Sequence, residues 1–439
     1  MRISAVFAMT VFGQKYSSSF FSYERKKENG KLKITKKQEI KSDDGVEKTK
    51  PRHFFYFVKN AKEEMKMADA KIEFLFLNEE DMIKAGVTDM GRCVEVMTEM
   101  FELLGKGDYI MGSKNHNSHG IMIDFPEHPQ FAGMPATGPD RRFMAMPSYL
   151  GGRFQVCGEK WYGSNKENIE KGLPRSILMY TLNDKDTGAP LAYMSANLLS
   201  AIRTGAVPGV AAKFLARKDA SVASVIGPGV MGKTGIRAVL EAVPGIKTVK
   251  VCGRRRVTSE KFVEYMKQYF PEKEYCIVDT HEEAARGSDI ICVATSGATA
   301  DPELKEEWLK KGALLLLPAT IHLDDDFILN RAVNVVDNWK MWECWEDEYQ
   351  YSYYEKLEML GAYYLDLMHD GKMKREQIIE MGDIVAGKTA GRKSEDDIVL
   401  FTTGGMPVED AAWGCEIYRN ALKEGIGTRL KLWDRPAMA

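Results

Sequence analysis

From Ile72 onward the chain alternates short apolar runs with amphipathic stretches, and the period of each predicts its element. Residues 74–77 read as a strand. Met90, Cys93, Val94, Met97, Phe101 and Leu104 recur at i, i+3, i+4 spacing, which predicts a helix capped by Thr88 or Asp89 and ended by Gly105. Strand-like runs follow at 121–125, 142–149, 153–156 and 176–182. The last of these turns through residues 183–188 into 190–196, a hairpin signal. Residues 67–204 therefore predict a mixed α+β unit, rich in hairpins and poor in helices.

The rhythm changes after a helical stretch that carries Arg203. Apolar runs at 222–226, 249–252, 275–278, 290–294, 313–317 and 333–336 alternate with segments of helical length at 233–242, 259–270 and 302–310. A shorter helix opens at Thr280 with Glu283 three residues on, a capping box. Six strands alternating with helices predict an α/β fold with a mostly parallel, doubly wound sheet of the Rossmann type over 205–404. Between its first strand and first helix lies Gly227-Pro-Gly229-Val230-Met231-Gly232. Glycines there let backbone approach a pyrophosphate, and the helix N-terminus offers free N–H groups. The second strand ends in Gly253-Arg254-Arg255-Arg256, where an acidic residue would otherwise hold a ribose 2′-hydroxyl. Arginines suit a 2′-phosphate, so the expected cofactor is NADP(H) in preference to NAD(H).

Composition narrows the classes. The 439 residues are 44% hydrophobic and 28% charged, long enough for two or three domains. A net charge of −2 gives no basic excess for nucleic acid or an anionic membrane surface. The seven cysteines lack C-x-x-C spacing, which fits buried free thiols in a reducing cytoplasm better than disulfides or a metal site. No apolar run approaches the about 20 residues that span a bilayer. Residues 1–66 read as a disordered or artefactual extension: residues 23–52 are polar and lysine-rich, and Met67 or Met65 is the expected start.

Candidate chemistry lies in cations placed among strands. Lys160 stands among apolar and aromatic neighbours, a setting that lowers an amine's pKa and suits acid–base work at a carbonyl or imine carbon. Arg142 and Arg203 have the fork that grips a carboxylate. Residues 339–375 read as an aromatic helical insertion. Its aromatic run over 339–364 fits either packing against the nucleotide domain or a subunit, or a pocket wall for a bulky substrate.

These residues resemble the ornithine cyclodeaminase/μ-crystallin family, which also includes an archaeal-type alanine dehydrogenase. The resemblance runs from about 74 to 432. It rests on the basic strand at Arg142, the Gly-x-Lys element at Lys160, Asp186-Thr-Gly-Ala-Pro-Leu-Ala192 before Leu199-Ser-Ala-Ile-Arg203-Thr-Gly-Ala, the glycine loop, and Phe401-Thr-Thr-Gly-Gly-Met-Pro-Val-Glu409-Asp410. It implies a homodimer whose first domain binds substrate and dimerises, completed by about 405–439. By the same resemblance Lys160 is catalytic, with Arg142 and Arg203 on the substrate carboxylate. Gly227, Gly229 and Gly232 hold the pyrophosphate, with Val230 and Met231 in the same loop, and Thr204 touches a phosphate. One departure stands out. The family's aspartate after the strand at Lys311-Gly312 is absent, and Thr320 or His322 is left to face the substrate. That favours redox chemistry on an amino acid, amine or imine over an ornithine cyclodeaminase-type lyase. A protein that binds NADPH and a small ligand without turnover is the remaining reading.

Overall fold

The computed structural model describes the backbone of residues 2–7, 19–28 and 31–41, and backbone with side chains at 70–295, 303–319 and 321–438. Met1–Ala70 and Lys71–Ala439 are separate compact units. In the first, β1 (Arg2–Phe7), β2 (Ser19–Glu28) and β3 (Lys31–Lys41) pair antiparallel in chain order. Where disorder is expected over 1–66, the described backbone thus carries strands. Five lysines in the eleven residues of β3 dilute the alternation of Leu32 and Ile34 that would have announced one.

The second unit holds two sheets. One contains β4 (Ile72–Leu77), β5 (Tyr109–Met111), β6 (Ile121–Asp124), β7 (Arg142–Leu150), β8 (Val156–Ser164), β9 (Ser176–Asp184) and β10 (Pro190–Ser195). Its order is β4-β10-β9-β8-β7-β5, with β6 also beside β7. All neighbours are antiparallel except β4 and β10. The run at 153–156, expected as a strand, is mostly turn. Gly151 and Gly152 reverse the chain, and the strand proper begins at Val156, which places Lys160 at its middle. Helix α1 (Met90–Lys106) is capped by Asp89, whose Oδ1 accepts from the Arg92 N–H at 2.9 Å. It runs past Gly105 to Gly107, which takes the left-handed φ of 79°. Gly105 is instead a close-packing position, because a Cβ there would overlap the Gly382 carbonyl.

The other sheet is parallel throughout and has eight strands, two more than the apolar runs predict. These are β11 (Val222–Ile226), β12 (Thr248–Cys252), β13 (Glu274–Val278), β14 (Ile290–Val293), β15 (Leu314–Leu317), β16 (Ala332–Val336), β17 (Ile378–Glu380) and β18 (Ile398–Thr402). They lie in the order β13-β12-β11-β14-β15-β18-β16-β17. The two unforeseen strands are the three-residue edge β17 and the interior β18, whose apolar residues run straight into the Thr-Thr-Gly-Gly loop. The helix expected at 302–310 is, over its described part, only a 3₁₀ turn at Glu306–Trp308. Finally β19 (Thr428–Trp433) returns to pair antiparallel with β4.

Helix α2 (Asn197–Leu215) joins the two sheets. Contrary to the expectation from apolar runs, its length and composition would allow it to cross a membrane, but 67% of that span is buried inside the protein. It packs on α3 (Val230–Ala242), the helix after the glycine loop, at very short range. A Cβ on Gly205 would overlap Thr234, and one on Gly209 would lie 2.7 Å from the Ala238 Cβ. Small residues thus let the helix carrying Arg203 sit directly on the helix that begins at the nucleotide loop.

Candidate active site

Strands β7 and β8 pair with Arg142 opposite Ser164, Met144 opposite Tyr162 and Met146 opposite Lys160. Cross-strand partners and alternate residues share a face, so Arg142, Tyr162 and Lys160 line one side of the sheet. Helix α6 (Pro407–Glu424) crosses that side. Its first turn carries Glu409 and Asp410, where the positive helix end favours carboxylates, and Glu409 also accepts from the Met406 N–H at 3.0 Å.

From these elements comes a buried chain of alternating charges. Lys160 Nζ donates to Asp410 Oδ2 at 2.9 Å and to Ser200 Oγ at 3.2 Å. Arg203 Nε donates to the other oxygen of Asp410 at 3.1 Å, and its Nη1 donates to Glu409. Lys160 is 2% exposed and both carboxylates are fully buried. Burial lowers the Lys160 pKa to about 8; Arg203 pushes the same way and Asp410 opposes. Burial lifts Glu409 to about 7 against the pull of Arg203. For Arg203, burial works against the charge and the two carboxylates more than restore it. The result is an amine that exchanges a proton near neutral pH.

Arg142 is anchored differently. Its Nη1 bonds Asp140, which also accepts from Ser164 Oγ at 2.6 Å and pairs with Arg175 Nε at 2.8 Å. The Arg142 Nε is buried without a hydrogen-bond partner among the described residues. A buried donor of that kind calls for an acceptor, and the partly open guanidinium suits a substrate carboxylate. Tyr162 stands between the two cations, its ring 5.7 Å from Lys160 Nζ.

His119, in the loop before β6, approaches from the side. Its Nδ1 lies 2.7 Å from the Gly405 carbonyl, so that nitrogen carries the proton. Its ring rests on Trp345 with centroids 5.9 Å apart. Burial lowers its pKa to about 4, and Lys160, Arg203 and Arg142 all press in that direction. The imidazole is therefore neutral. The 403–405 loop is held by Asp337, which follows β16. Asp337 accepts from the N–H groups of Asn338 and Gly404 at 2.8 Å each, and from Thr403 Oγ1 and Trp342 Nε1 at 2.9 Å each.

The structure thus brings Lys160, Arg142 and Arg203 to one site. Thr204 spends its hydroxyl on the Ser200 carbonyl at 2.7 Å, within its own helix. Thr320 lies outside the described residues. His322 is exposed and its backbone bridges to Glu303, while Asp324 caps the helix Asp325–Asn330. Sequence reasoning missed Glu409, Asp410, Tyr162 and His119. The acidic pair just after Pro407 was a legible helix start, and Tyr162 stands two residues from Lys160 on the same face; His119 gave no signal. The aromatic segment divides between both its readings. Trp339, Trp342 and Tyr364 are core, whereas Trp345 packs on His119. Burial raises the Tyr349 pKa, with Asp124 and Glu348 adding to the rise and Arg142 opposing it.

The glycine loop fits a dinucleotide. Gly227 has φ 96°, and a Cβ on it would lie 2.6 Å from the Ala294 carbonyl. A Cβ on Gly232 would overlap the Gly227 carbonyl, whereas one on Gly229 would meet nothing within 4 Å. The loop is therefore closed on the protein side and open at the N-terminus of α3, beside exposed Val230 and half-buried Met231. Arg254 and Arg255, past the end of β12, are exposed and make no ion pair among the described residues.

A doubly wound sheet with this loop, joined through one buried helix to a sheet bearing a buried lysine, defines a two-part dinucleotide-binding class. Within that class the chain belongs to the ornithine cyclodeaminase/mu-crystallin family, whose model matches residues 86–425. It is 29% identical over 363 residues to N-((2S)-2-amino-2-carboxyethyl)-L-glutamate dehydrogenase of Staphylococcus aureus, covering 82% of this chain and 99% of that one. Over 295 residues it is 32% identical to alanine dehydrogenase of Archaeoglobus fulgidus, covering 66% and 83%. The solved Thermococcus litoralis Delta(1)-pyrroline-2-carboxylate reductase, in complex with NADH and L-proline, has a TM-score of 0.65 and 29% identity, covering 81% of this chain and 99% of that chain.

Removing one member of a buried charge network leaves the others unpaired, at about 3–5 kcal/mol. Arg203→Ala is therefore expected to lower the unfolding free energy in denaturant by that amount. Arg142→Ala, at a partly open position, should cost about 1 kcal/mol or less.

Proposed function

We propose that this chain is an NADP(H)-dependent oxidoreductase that interconverts an amino acid and its imine. Oxidoreduction of amino acids or imines is the activity of its family relatives, which are named dehydrogenases and reductases. The observation that carries the reading to these residues is Lys160, a buried lysine with a pKa of about 8 on the same face as an arginine with an unused donor. When bound, the nicotinamide supplies or takes up the hydride. Arg142 grips the substrate carboxylate, and the sheet face then leads the nitrogen-bearing carbon toward Lys160. As an ammonium, Lys160 gives a proton to the imine nitrogen; as an amine, it takes one from the substrate ammonium. Arg203 is committed to Glu409 and Asp410, so it positions Lys160 and leaves the carboxylate to Arg142.

Imine reduction needs the protonated lysine, so its kcat/KM should fall as pH rises through about 8; amino-acid oxidation should rise through the same region. Asp410 raises the lysine's pKa, so Asp410→Asn should move both limbs to lower pH. The assay is nicotinamide absorbance, with L-amino acids and NADP+ in one direction and cyclic imino acids and NADPH in the other. Silence across both panels would sink the reading. Ornithine converted to proline and ammonia without net cofactor change would move the protein to the lyases.

The preference for NADP(H) is supported by Arg254 and Arg255, which stand free where a ribose 2′-phosphate would lie. A hydrogen bond to a charged group contributes about 1.5–3 kcal/mol. The double variant Arg254→Ala, Arg255→Ala should therefore weaken NADPH about tenfold or more and leave NADH nearly unchanged, as read by nucleotide fluorescence titration.

A homodimer is supported by the sheet's other face. There Ile121, Ile123, Phe143, Trp161 and Ile177 are 40–63% exposed, and Phe143 stacks on Trp161 with centroids 5.7 Å apart. Such a patch on the back of the site sheet suits a second copy, and a family relative is described as an alanine dehydrogenase dimer. Light scattering should give twice the chain mass for the native protein and a monomer for Trp161→Glu; an unchanged mass in the variant would discard this face.

A further inference from the structure

We propose that His119 Nε2 is the hydrogen-bond acceptor that receives the substrate's nitrogen, an inference that rests on the amino-acid/imine reading above. The ring's anchor fixes its tautomer. A carbonyl only accepts, so the 2.7 Å approach of Nδ1 to the Gly405 oxygen fixes the proton on Nδ1 and leaves the Nε2 lone pair free. Nε2 makes no hydrogen bond among the described residues.

Two contacts place that ring at the reacting end of the site. Gly405, its anchor, abuts Arg203: a Cβ there would lie 3.1 Å from Nη1. Gly120, its chain neighbour, lies over β7, where a Cβ would be 3.0 Å from Met146 Cγ, and Met146 is the cross-strand partner of Lys160. The backbone that holds the imidazole thus abuts Arg203 on one side and the strand position opposite the lysine on the other. Trp345 backs the ring and fixes its orientation.

The surrounding carboxylates are already engaged. Asp410 serves Lys160 and Arg203, Glu409 serves Arg203 and the Met406 N–H, Asp337 takes four donors, and Asp140 takes Arg142, Ser164 and Arg175. A substrate amine or protonated imine carries N–H donors. In a site of cations and spent carboxylates, it finds an open lone pair at His119. Burial and the three cations keep the ring neutral, so that lone pair persists at working pH. The site thereby selects an α-nitrogen over an α-carbon bearing none.

His119→Phe keeps a ring against Trp345 and deletes the acceptor; His119→Gln restores an acceptor of similar reach. The probes are the L-amino acid that the native enzyme oxidises fastest, the matching carboxylic acid lacking the amino group as competitive inhibitor, and NADPH. For His119→Phe, kcat/KM should fall tenfold or more, with partial recovery in His119→Gln. The inhibitor Ki and the NADPH Kd should stay within twofold of native. A kcat/KM within twofold of native in His119→Phe overturns the assignment while the oxidoreductase reading stands. An equal loss of inhibitor binding also overturns it, since the ring would then support the pocket as a whole. No turnover of any amino acid by the native protein defeats the underlying reading, and this inference with it.

Discussion

Asp410 is shared between two cations, and the rest of the site depends on that sharing. Its two oxygens hold Lys160 from β8 and Arg203 from α2, which lie 250 and 207 residues before it in sequence. Burying charge is costly unless every member is paired and hydrogen-bonded, and here each is. Lys160 adds Ser200, Arg203 adds Glu409, and Glu409 adds a backbone N–H at the start of α6. The network therefore fixes three elements at once. Because α2 also lies against α3 at glycine range, it fixes the lysine relative to the nucleotide loop.

The period of the strand sorts the two roles of the site sheet. Arg142, Met144 and Met146 of β7 face α6, and Phe143 and Ala145 between them face outward. On β8 the same alternation puts Lys160 and Tyr162 inside and Trp161 outside. One residue of slip would bury Trp161 beside Asp410 and turn the lysine to the apolar face, losing both surfaces together. The charge pairing on one side and the aromatic stack on the other thus specify the same register. The tight turn at Gly151-Gly152 that joins these strands need only reverse the chain.

What the sequence shows of this arrangement follows from which signals are local. The glycine loop, the arginines after β12, the capping box at Thr280 and most strands of the parallel sheet are written in runs of neighbouring residues, and they are legible. Strand β8 was hidden because a lysine, a glutamate and two glycines interrupt its apolar alternation. Strand β18 was hidden by its position, since an interior strand followed at once by a glycine loop reads as part of that loop. Glu409 and Asp410 were in view as a motif, but their partners lie on other elements, and no spacing rule connects residue 410 to residues 160 and 203. His119 lies in an irregular loop, and only the tertiary contact with Gly405 gives it a place.

The sharing of Asp410 also explains how a buried lysine comes to titrate usefully. An aspartate given wholly to Lys160 would hold the ammonium strongly, and the lysine would keep its proton throughout the working range. With no aspartate, burial alone would drive the amine neutral. Arg203 divides the carboxylate's attraction and adds its own repulsion, while Glu409 bonds the arginine and, from farther off, also favours the lysine's charge. Asp337 holds the 403–405 loop through four donors and makes no ion pair with Arg203 among the described residues. The lysine's position between its two charge states is thus a balance of opposing neighbours. That balance lets Arg203, whose donors go to Glu409, Asp410 and Ser200, act on the lysine's proton without touching the lysine.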